Sequence, residues 1–462
     1  VADQRESVHG FWKGRIAFFL AATGSAVGLG SIWKFPYITG ENGGGAFVLV
    51  YLLCIAFVGI PVMMAEVLMG RRARQNPVTA VGTLARESGA TTRWTGMGLL
   101  GIATSYLILT YYVVITGWAF AYIFHAGSGA FVAASPEKIS ADFGALLGNT
   151  PALLAWSTLM LLLTGATVMG GVQKGIERAV TILMPGLLVI LLLLVGYCMA
   201  EGAFMEGVRF MFAPDFSKLT ASGVLVALGH AFFTLSLASG VMVAYGAYVP
   251  AGTSIFKTTV AVVTADTVVS LLSGLAIFPL VFEYGLEPGA GPSLIFQTLP
   301  IAFGAMPYGT FFGTLFFVML FVAAFGSAIS LLEPTVATLV EQFKLTRTRA
   351  VVYSTGVAWI VSLPSVLSFN RWSGFHPVAG IPGFEDKTIF DTLDYLTANI
   401  LLPISGLLIA IFCAWVMKAE ATRDELGLGD GVVYRSWRFL MRYVVPISIV
   451  VVFLNLIGVL TF

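Results

Sequence analysis

The stretch Gly24-Ser25-Ala26-Val27-Gly28-Leu29-Gly30-Ser31 interrupts an otherwise apolar run over residues 14–38. Such a run is long enough to cross the hydrocarbon core of a bilayer as a helix. Glycine and serine at this density weaken a helix from within. Unwound backbone cannot face lipid, because each unpaired N–H or C=O there costs several kcal/mol. The interruption therefore lines a cavity, binds something, or lets another helix approach closely as small residues do. A second stretch of the same kind, Thr234-Leu235-Ser236-Leu237-Ala238-Ser239-Gly240, lies five spans further along. Two broken helices at matching positions of oppositely oriented halves mark an inverted repeat that holds its ligand at the midplane. For the pair, binding outweighs packing.

Eleven spans are predicted, near residues 14–38, 44–70, 96–124, 152–171, 177–200, 222–246, 257–284, 308–342, 348–368, 389–417 and 438–461. The expected fold class is an all-α polytopic membrane protein with 11 transmembrane helices. Residues 1–201 form the first inverted repeat (helices 1–5), 202–420 the second (helices 6–10), and 421–462 add helix 11. Residues 285–307 are too broken by Gly and Pro to cross, and are expected to form a hairpin on the outer face. Composition agrees: hydrophobic residues are 58% and charged residues 11%, where a soluble domain carries about a quarter charged. A net charge of +1 leaves no basic footprint for nucleic acid. Cys54, Cys198 and Cys413 sit far apart in apolar runs and read as small core residues. His9, His125, His230 and His376 show no metal-ligand spacing.

Lysine and arginine set the orientation. With the N-terminus in the cytoplasm, the inner segments carry nineteen of them, from Arg5 to Arg442, and the outer segments six. The C-terminal Phe462 then lies outside the plasma membrane. No cleavable signal is expected, since the first apolar run leads straight into a full-length span. Oligomeric state has no signature here.

Charges at membrane depth are costly and default to function. They are Glu66, His230, Asp266 and Glu333, with Lys34 and Asp394 nearer the outer ends of helices 1 and 10. Asp266, in TTVAVVTADTVVSLLSG, has no basic partner within a helical turn. It is either protonated and hydrogen-bonded or kept charged by a bound cation. Glu66 and Glu333 are expected to accept hydrogen bonds from unwound backbone, and His230 to be a satisfied core histidine.

The run GSAVGLGSIWKFPYITGE (Gly24–Glu41), followed by NGGGAF (Asn42–Phe47), strongly resembles the sodium:neurotransmitter symporter family, in particular its bacterial amino-acid transporters. FFTLSLASG (232–240), the Tyr111-Tyr112 pair, SGLAIF (273–278), GSAISLLEP (326–334) and FDTLDY (390–395) fall in the family's order. The resemblance implies sodium-coupled symport of a neutral amino acid by alternating access. It implies that the substrate carboxylate meets the N–H groups of Leu29 and Gly30 and the Tyr112 hydroxyl. The ammonium would meet carbonyls of Ala26, Phe233 and Thr234. Ser25, Gly28, Ile108, Ser236, Ser239, Ser327 and Leu331 would shape the pocket, with Phe233 as lid. Two sodium sites are implied. The first takes Ala26, Ser31, Thr234, Asp266 and the substrate carboxylate; the second takes Gly24, Val27, Ala323 and Ser327. Lys34 and Asp394 would gate the outside. His9 and Glu341, with Trp12 and Tyr248, would latch the inside. Gly175 and Pro185 match a helix 5 motif that can unwind.

The departures from the family pattern also carry expectations. Ser31 and Asp266 stand where Asn is usual, so a shorter neutral ligand is offset by a charged one. Lys34 replaces Arg, which suggests a water-mediated outer gate. His9 replaces Arg, which weakens the inner latch when neutral. Gly326 replaces a hydroxyl of the second sodium site. Around Tyr51, Thr234 and Ser270 animal members bind chloride, but here His230 replaces Gln and Asp266 can supply the negative charge; chloride is not expected. Ser239 stands where a large aromatic often fills the pocket floor, which favours a hydrophobic or aromatic substrate. Glycine or another small amino acid is the alternative, as is a non-transporting amino-acid sensor of the same fold. An intramembrane enzyme would need a GxSxG, an HExxH or paired aspartates in facing spans, and a channel would need a continuous polar pore. None is present in the sequence.

Overall fold

The computed structural model describes residues 7–289, 294–381, 384–456 and 459. Arg5, Phe462 and the centre of the 285–307 segment lie outside the described residues. The first apolar run folds as two helices, α1a (Arg15–Ala26) and α1b (Gly30–Glu41), bent by 50° at the break. Val27 leaves the helix in an extended conformation (φ −70°, ψ 97°). Gly28 is required where it stands: a Cβ there would lie 2.2 Å from Ser327 Oγ and 2.8 Å from Tyr112 OH.

Nine unbroken apolar helices are long enough to cross. They are α2 (Gly45–Ala73), α3 (Thr92–Gly127), α4 (Thr150–Met169), α5 (Val172–Glu201), α7 (Ile255–Glu283), α8 (Gly309–Phe343), α9 (Arg347–Leu367), α10 (Ile389–Val416) and α11 (Val432–Asn455). The remaining span, α6, is broken into α6a (Ala221–Thr234) and α6b (Val241–Ala247). With α1 and α6 the spans number eleven among the described residues, as expected, and no strand occurs among them. In the α6 break Ser236, Ala238 and Gly240 all take positive φ (52°, 62° and 75°). For a non-glycine residue that costs about 1–2 kcal/mol. The neighbouring helix compensates: the Ala238 N–H donates to Glu66 Oε1 at 2.6 Å. Glu66 thus does what the sequence led one to expect.

Two boundaries differ from expectation. The α11 helix begins at Val432, a turn and a half early. The 285–307 segment forms, among its described residues, one short helix (Leu294–Ala305) instead of a hairpin. Leu294, Ile295, Phe296, Leu299 and Phe303 are all buried along it, so a continuous apolar face outweighs the local breakers. The α2 and α6b backbones touch: a Cβ on Gly70 would lie 2.0 Å from Val243 O, and one on Gly246 2.7 Å from Val67 O. Such glycine contacts lock helices together in lipid. Outward, Leu162, Ile182, Leu192 and Ile360 are more than half exposed, as lipid-facing positions should be.

Candidate functional site

Four elements converge where α1 and α6 break. Asp266, fully buried on α7, accepts at Oδ1 from Ser31 Oγ (2.6 Å) and at Oδ2 from Thr234 Oγ1 (3.2 Å). The Ser31 and Thr234 hydroxyls lie 3.0 Å apart, and Ser31 Oγ stands 3.5 Å from the Ala26 carbonyl. Ser273 Oγ fixes Ser31 from behind by donating to its carbonyl at 2.7 Å. The donor set is all oxygen with one carboxylate and no nitrogen or sulfur, a set suited to a hard cation. The four residues expected at the first sodium site are thus brought together.

Beside this cluster lies a cavity of about 30 Å³ lined by Ser25, Ala26, Gly28, Gly30, Ile108, Tyr112, Phe233, Ser236, Ser239, Ser327, Leu331 and Leu402. All but Leu402 were named from the sequence. Leu29 and Thr234 fall outside the lining. The Leu29 N–H donates to the Tyr112 hydroxyl at 3.0 Å, so two groups expected to share a carboxylate hold each other here. Leu402 was missed for a geometric reason. It lies eight residues beyond Asp394, out of phase in a regular helix, but a π turn at Leu396–Leu401 absorbs one residue. That shifts the register by about 100° and returns Leu402 to the inward face.

The second cluster is only partly as expected. Ser327 Oγ donates to the Ser25 carbonyl at 3.0 Å, and Ser236 Oγ donates to the same oxygen at 2.9 Å. Gly326 presses on α1a, where a Cβ would come within 2.8 Å of Gly24 O. Ala323 and Val27 are buried nearby in sequence on the same two helices. The hydroxyls of Thr23 and Ser25 are buried with no hydrogen-bond partner among the described residues. Buried polar atoms normally find partners, so these orphans and the carbonyls at the α1 break leave room for an oxygen-liganded cation.

Above the cavity Phe233 separates it from an outer vestibule of about 450 Å³ that includes Leu29, Tyr111, Lys34 and Asp394. Lys34 Nζ lies 4.6 Å above the Phe233 ring and 3.5 Å from Asp394 Oδ2. The two residues expected at this gate are thus brought within ion-pair distance of each other. Tyr111 OH also donates to Asp394, at 3.2 Å.

Below the cavity His9 Nε2 lies 3.0 Å from Glu341 Oε1. The two latch residues are thus brought together; a neutral imidazole with its proton on Nε2 donates one hydrogen bond here, weaker than the charge-assisted bond of a protonated ring. Asn76, not anticipated, holds the same carboxylate through its backbone N–H (2.9 Å) and its Nδ2 (2.8 Å). Its position just before Pro77 advertised a helix cap, not this second role. Trp12 donates its N–H to Tyr248 O at 2.9 Å and its indole to Tyr245 O at 3.1 Å.

Two further expectations fail. Glu333 takes no unwound backbone; it accepts from Tyr248 OH (2.9 Å) and from both Arg347 terminal nitrogens (3.2 and 2.5 Å). The turn after α8 brings Arg347 back beneath it, and a guanidinium outcompetes amides for a buried carboxylate. His230 is not satisfied: both ring nitrogens lack partners among the described residues, and the ring is held between Phe35 and Tyr51. Tyr51 OH and Ser270 Oγ are orphaned as well.

Comparison with known proteins agrees with the geometry. Residues 9–133 and 147–461 match the sodium:neurotransmitter symporter family. The chain is 38% identical to YhdH of Bacillus subtilis, described as an uncharacterized sodium-dependent transporter, over 98% of both chains. It is 34% identical to an uncharacterized sodium-dependent transporter of Haemophilus influenzae, over 96% of this chain and 97% of that one. The crystal structure of MhsT in complex with L-phenylalanine is 39% identical and superposes with a TM-score of 0.89, covering 96% of this chain and 99% of MhsT. These relatives are transporters, not enzymes. A family match over nearly the whole chain, joined to two broken helices around one enclosed oxygen-rich site, leads to one assignment: the chain belongs to the sodium:neurotransmitter symporter family.

Proposed function

We propose that this protein carries a neutral amino acid with a hydrophobic or aromatic side chain across the plasma membrane, driven by sodium and independent of chloride. The observation that carries the reading is the oxygen cluster of Asp266, Ser31, Thr234 and Ala26 beside the cavity. A substrate carboxylate at the free end of α1b completes that cluster, so ion and substrate share a ligand and bind together. The start of a half-helix favours the anion. Leu29, Gly30 and Tyr112 hold the carboxylate, and the carbonyls of Ala26, Phe233 and Thr234 hold the ammonium. A second sodium sits among Gly24, Val27, Ala323 and Ser327. The Lys34–Asp394 and His9–Glu341 pairs open in turn, one side at a time. Residues 1–201 and 202–420 are the two inverted repeats, with 421–462 appended; the N-terminus is cytoplasmic and the C-terminus external.

The phenylalanine bound by MhsT, at 39% identity, supports an aromatic substrate. A cavity of about 30 Å³ favours the second reading, glycine or another small amino acid, unless α6 moves outward. Uptake into sealed vesicles separates them. Labelled phenylalanine should accumulate under an inward sodium gradient, not under potassium, and replacing chloride by gluconate at constant sodium should leave the rate unchanged. No accumulation of any amino acid would refute symport. A strong chloride requirement would refute the chloride-independent part alone.

Tyr112→Phe removes one hydroxyl and leaves the ring in place. A hydrogen bond to a charged group contributes about 1.5–3 kcal/mol. The variant should therefore bind substrate about 10- to 100-fold more weakly, read by equilibrium binding of labelled substrate. Unchanged affinity would mean the carboxylate lies elsewhere.

A further inference from the structure

We infer that the cleft between the segment preceding α1a and the start of α5 binds the phosphate head of an anionic phospholipid. The cleft measures about 400 Å³ and is walled by Lys13 on one side and by Lys174 and Arg178 on the other. All three cationic side chains are exposed. Among the described residues, no carboxylate lies within ion-pair distance of any of them. The one acid lining the cleft, Glu177, is 7% exposed and is engaged by backbone: its Oε2 accepts the Lys13 backbone N–H at 3.2 Å. Three cations from two elements against one carboxylate thus leave the cleft with a net positive charge.

The depth of the cleft selects the ligand. Ile182 also lines it, one turn along α5 from Arg178, and is 66% exposed; Ile16, three residues beyond Lys13 at the start of α1a, is 68% exposed. Apolar side chains so bare belong against hydrocarbon, which sets the cations one turn outward, at the depth of phosphates. A phospholipid meets both demands at once, its head among the cations and its chains along the isoleucines. A soluble phosphate meets only the first. The bound head also ties together two elements already joined by the Lys13–Glu177 contact and by Gln173 Nε2, which donates to Phe11 O at 2.8 Å. It therefore reinforces closure of the side that holds the His9–Glu341 latch. This inference rests on the chain spanning a bilayer and not on which solute it carries.

The test uses the purified full chain in neutral detergent, with lipids retained in native mass spectrometry and the thermal unfolding midpoint as readouts. Phosphatidylglycerol should be retained and should raise the midpoint, whereas phosphatidylcholine should do neither. Each surface cation near a membrane contributes about fivefold in affinity for anionic lipid. The Lys174→Gln/Arg178→Gln pair should therefore weaken phosphatidylglycerol binding about 25-fold. The charge-keeping pair Lys174→Arg/Arg178→Lys should retain it, which separates loss of the site from loss of the fold. The pair Lys344→Gln/Arg349→Gln, exposed elsewhere on the same side, should also retain it. Equal retention by the Lys174/Arg178 glutamine pair would overturn the proposal. So would equal protection by phosphatidylcholine, or by inorganic phosphate at matched concentration, which would make the cleft a site for a small anion only.

Discussion

Asp266→Ala should abolish sodium-driven uptake and weaken sodium binding about 10²- to 10⁴-fold, the range that follows from removing one partner of a buried charge pair. Asp266 is fully buried and is the single charged member of the cluster at the α1 and α6 breaks. Ser31 and Thr234 both point their hydroxyls at it. Without it the proposed cation keeps only neutral protein oxygens, with the substrate carboxylate as its one remaining negative ligand, in a buried site where charge is poorly screened. Asp266→Asn separates shape from charge. It keeps a carbonyl in the cluster, so sodium affinity should fall less, and, on the proposed chloride-independent reading, uptake should become dependent on chloride. The reason is one helical turn away on α7. Ser270 Oγ, Tyr51 OH and both His230 nitrogens are buried without partners among the described residues, and the two hydroxyls with the single N–H of a neutral imidazole can serve a small anion once the carboxylate no longer repels it. The measurement is sodium-dependent binding of labelled substrate, with and without chloride. Wild-type sodium dependence in Asp266→Ala would remove this residue from the cation site.

Asp266 was also the residue that the sequence made easiest to find, because a lone acid in seventeen otherwise uncharged residues has few explanations. The breaks in α1 and α6 were legible for a similar reason: glycine and serine concentrated at membrane depth violate the rule that lipid-facing backbone must be paired. What stayed hidden depends on contacts that no periodicity encodes. Glu66 and Glu333 look alike as buried acids, yet one binds the Ala238 amide and the other Arg347. The difference lies in which helix packs against each. Asn76 reads as a helix cap and only the fold brings Glu341 to it. Leu402 reaches the cavity because a π turn shifts the α10 register, and a 3.6-residue count cannot register such a turn.

Arg347→Met should lower the stability of the purified protein by about 3–5 kcal/mol, whereas Lys34→Met, at the other gate, should lower it by no more than about 1 kcal/mol. Both substitutions remove a cation from a carboxylate, and the environment of the carboxylate decides the difference. Asp394 has a side chain 34% exposed and sits 3.5 Å from Lys34, so water replaces the lost partner. The Glu333 side chain is 0% exposed and is gripped by two guanidinium nitrogens, one of them at 2.5 Å. Removing the guanidinium strands a charge with a single hydroxyl donor, Tyr248 OH. Glu333→Gln in the Arg347→Met background removes that charge and should recover most of the loss, as read by the unfolding midpoint in detergent. An Arg347→Met protein as stable as its parent would mean that Glu333 is already neutral. The same imbalance bears on transport. Tyr248 carries the carbonyl that anchors Trp12, so the network under Glu333 braces the start of α1, while the Lys34–Asp394 pair is partly exposed. If the two pairs act as the proposed gates, the one beside Trp12 is the harder to open, so Arg347→Met should raise hydrogen exchange at residues 11–15 without changing it around Lys34.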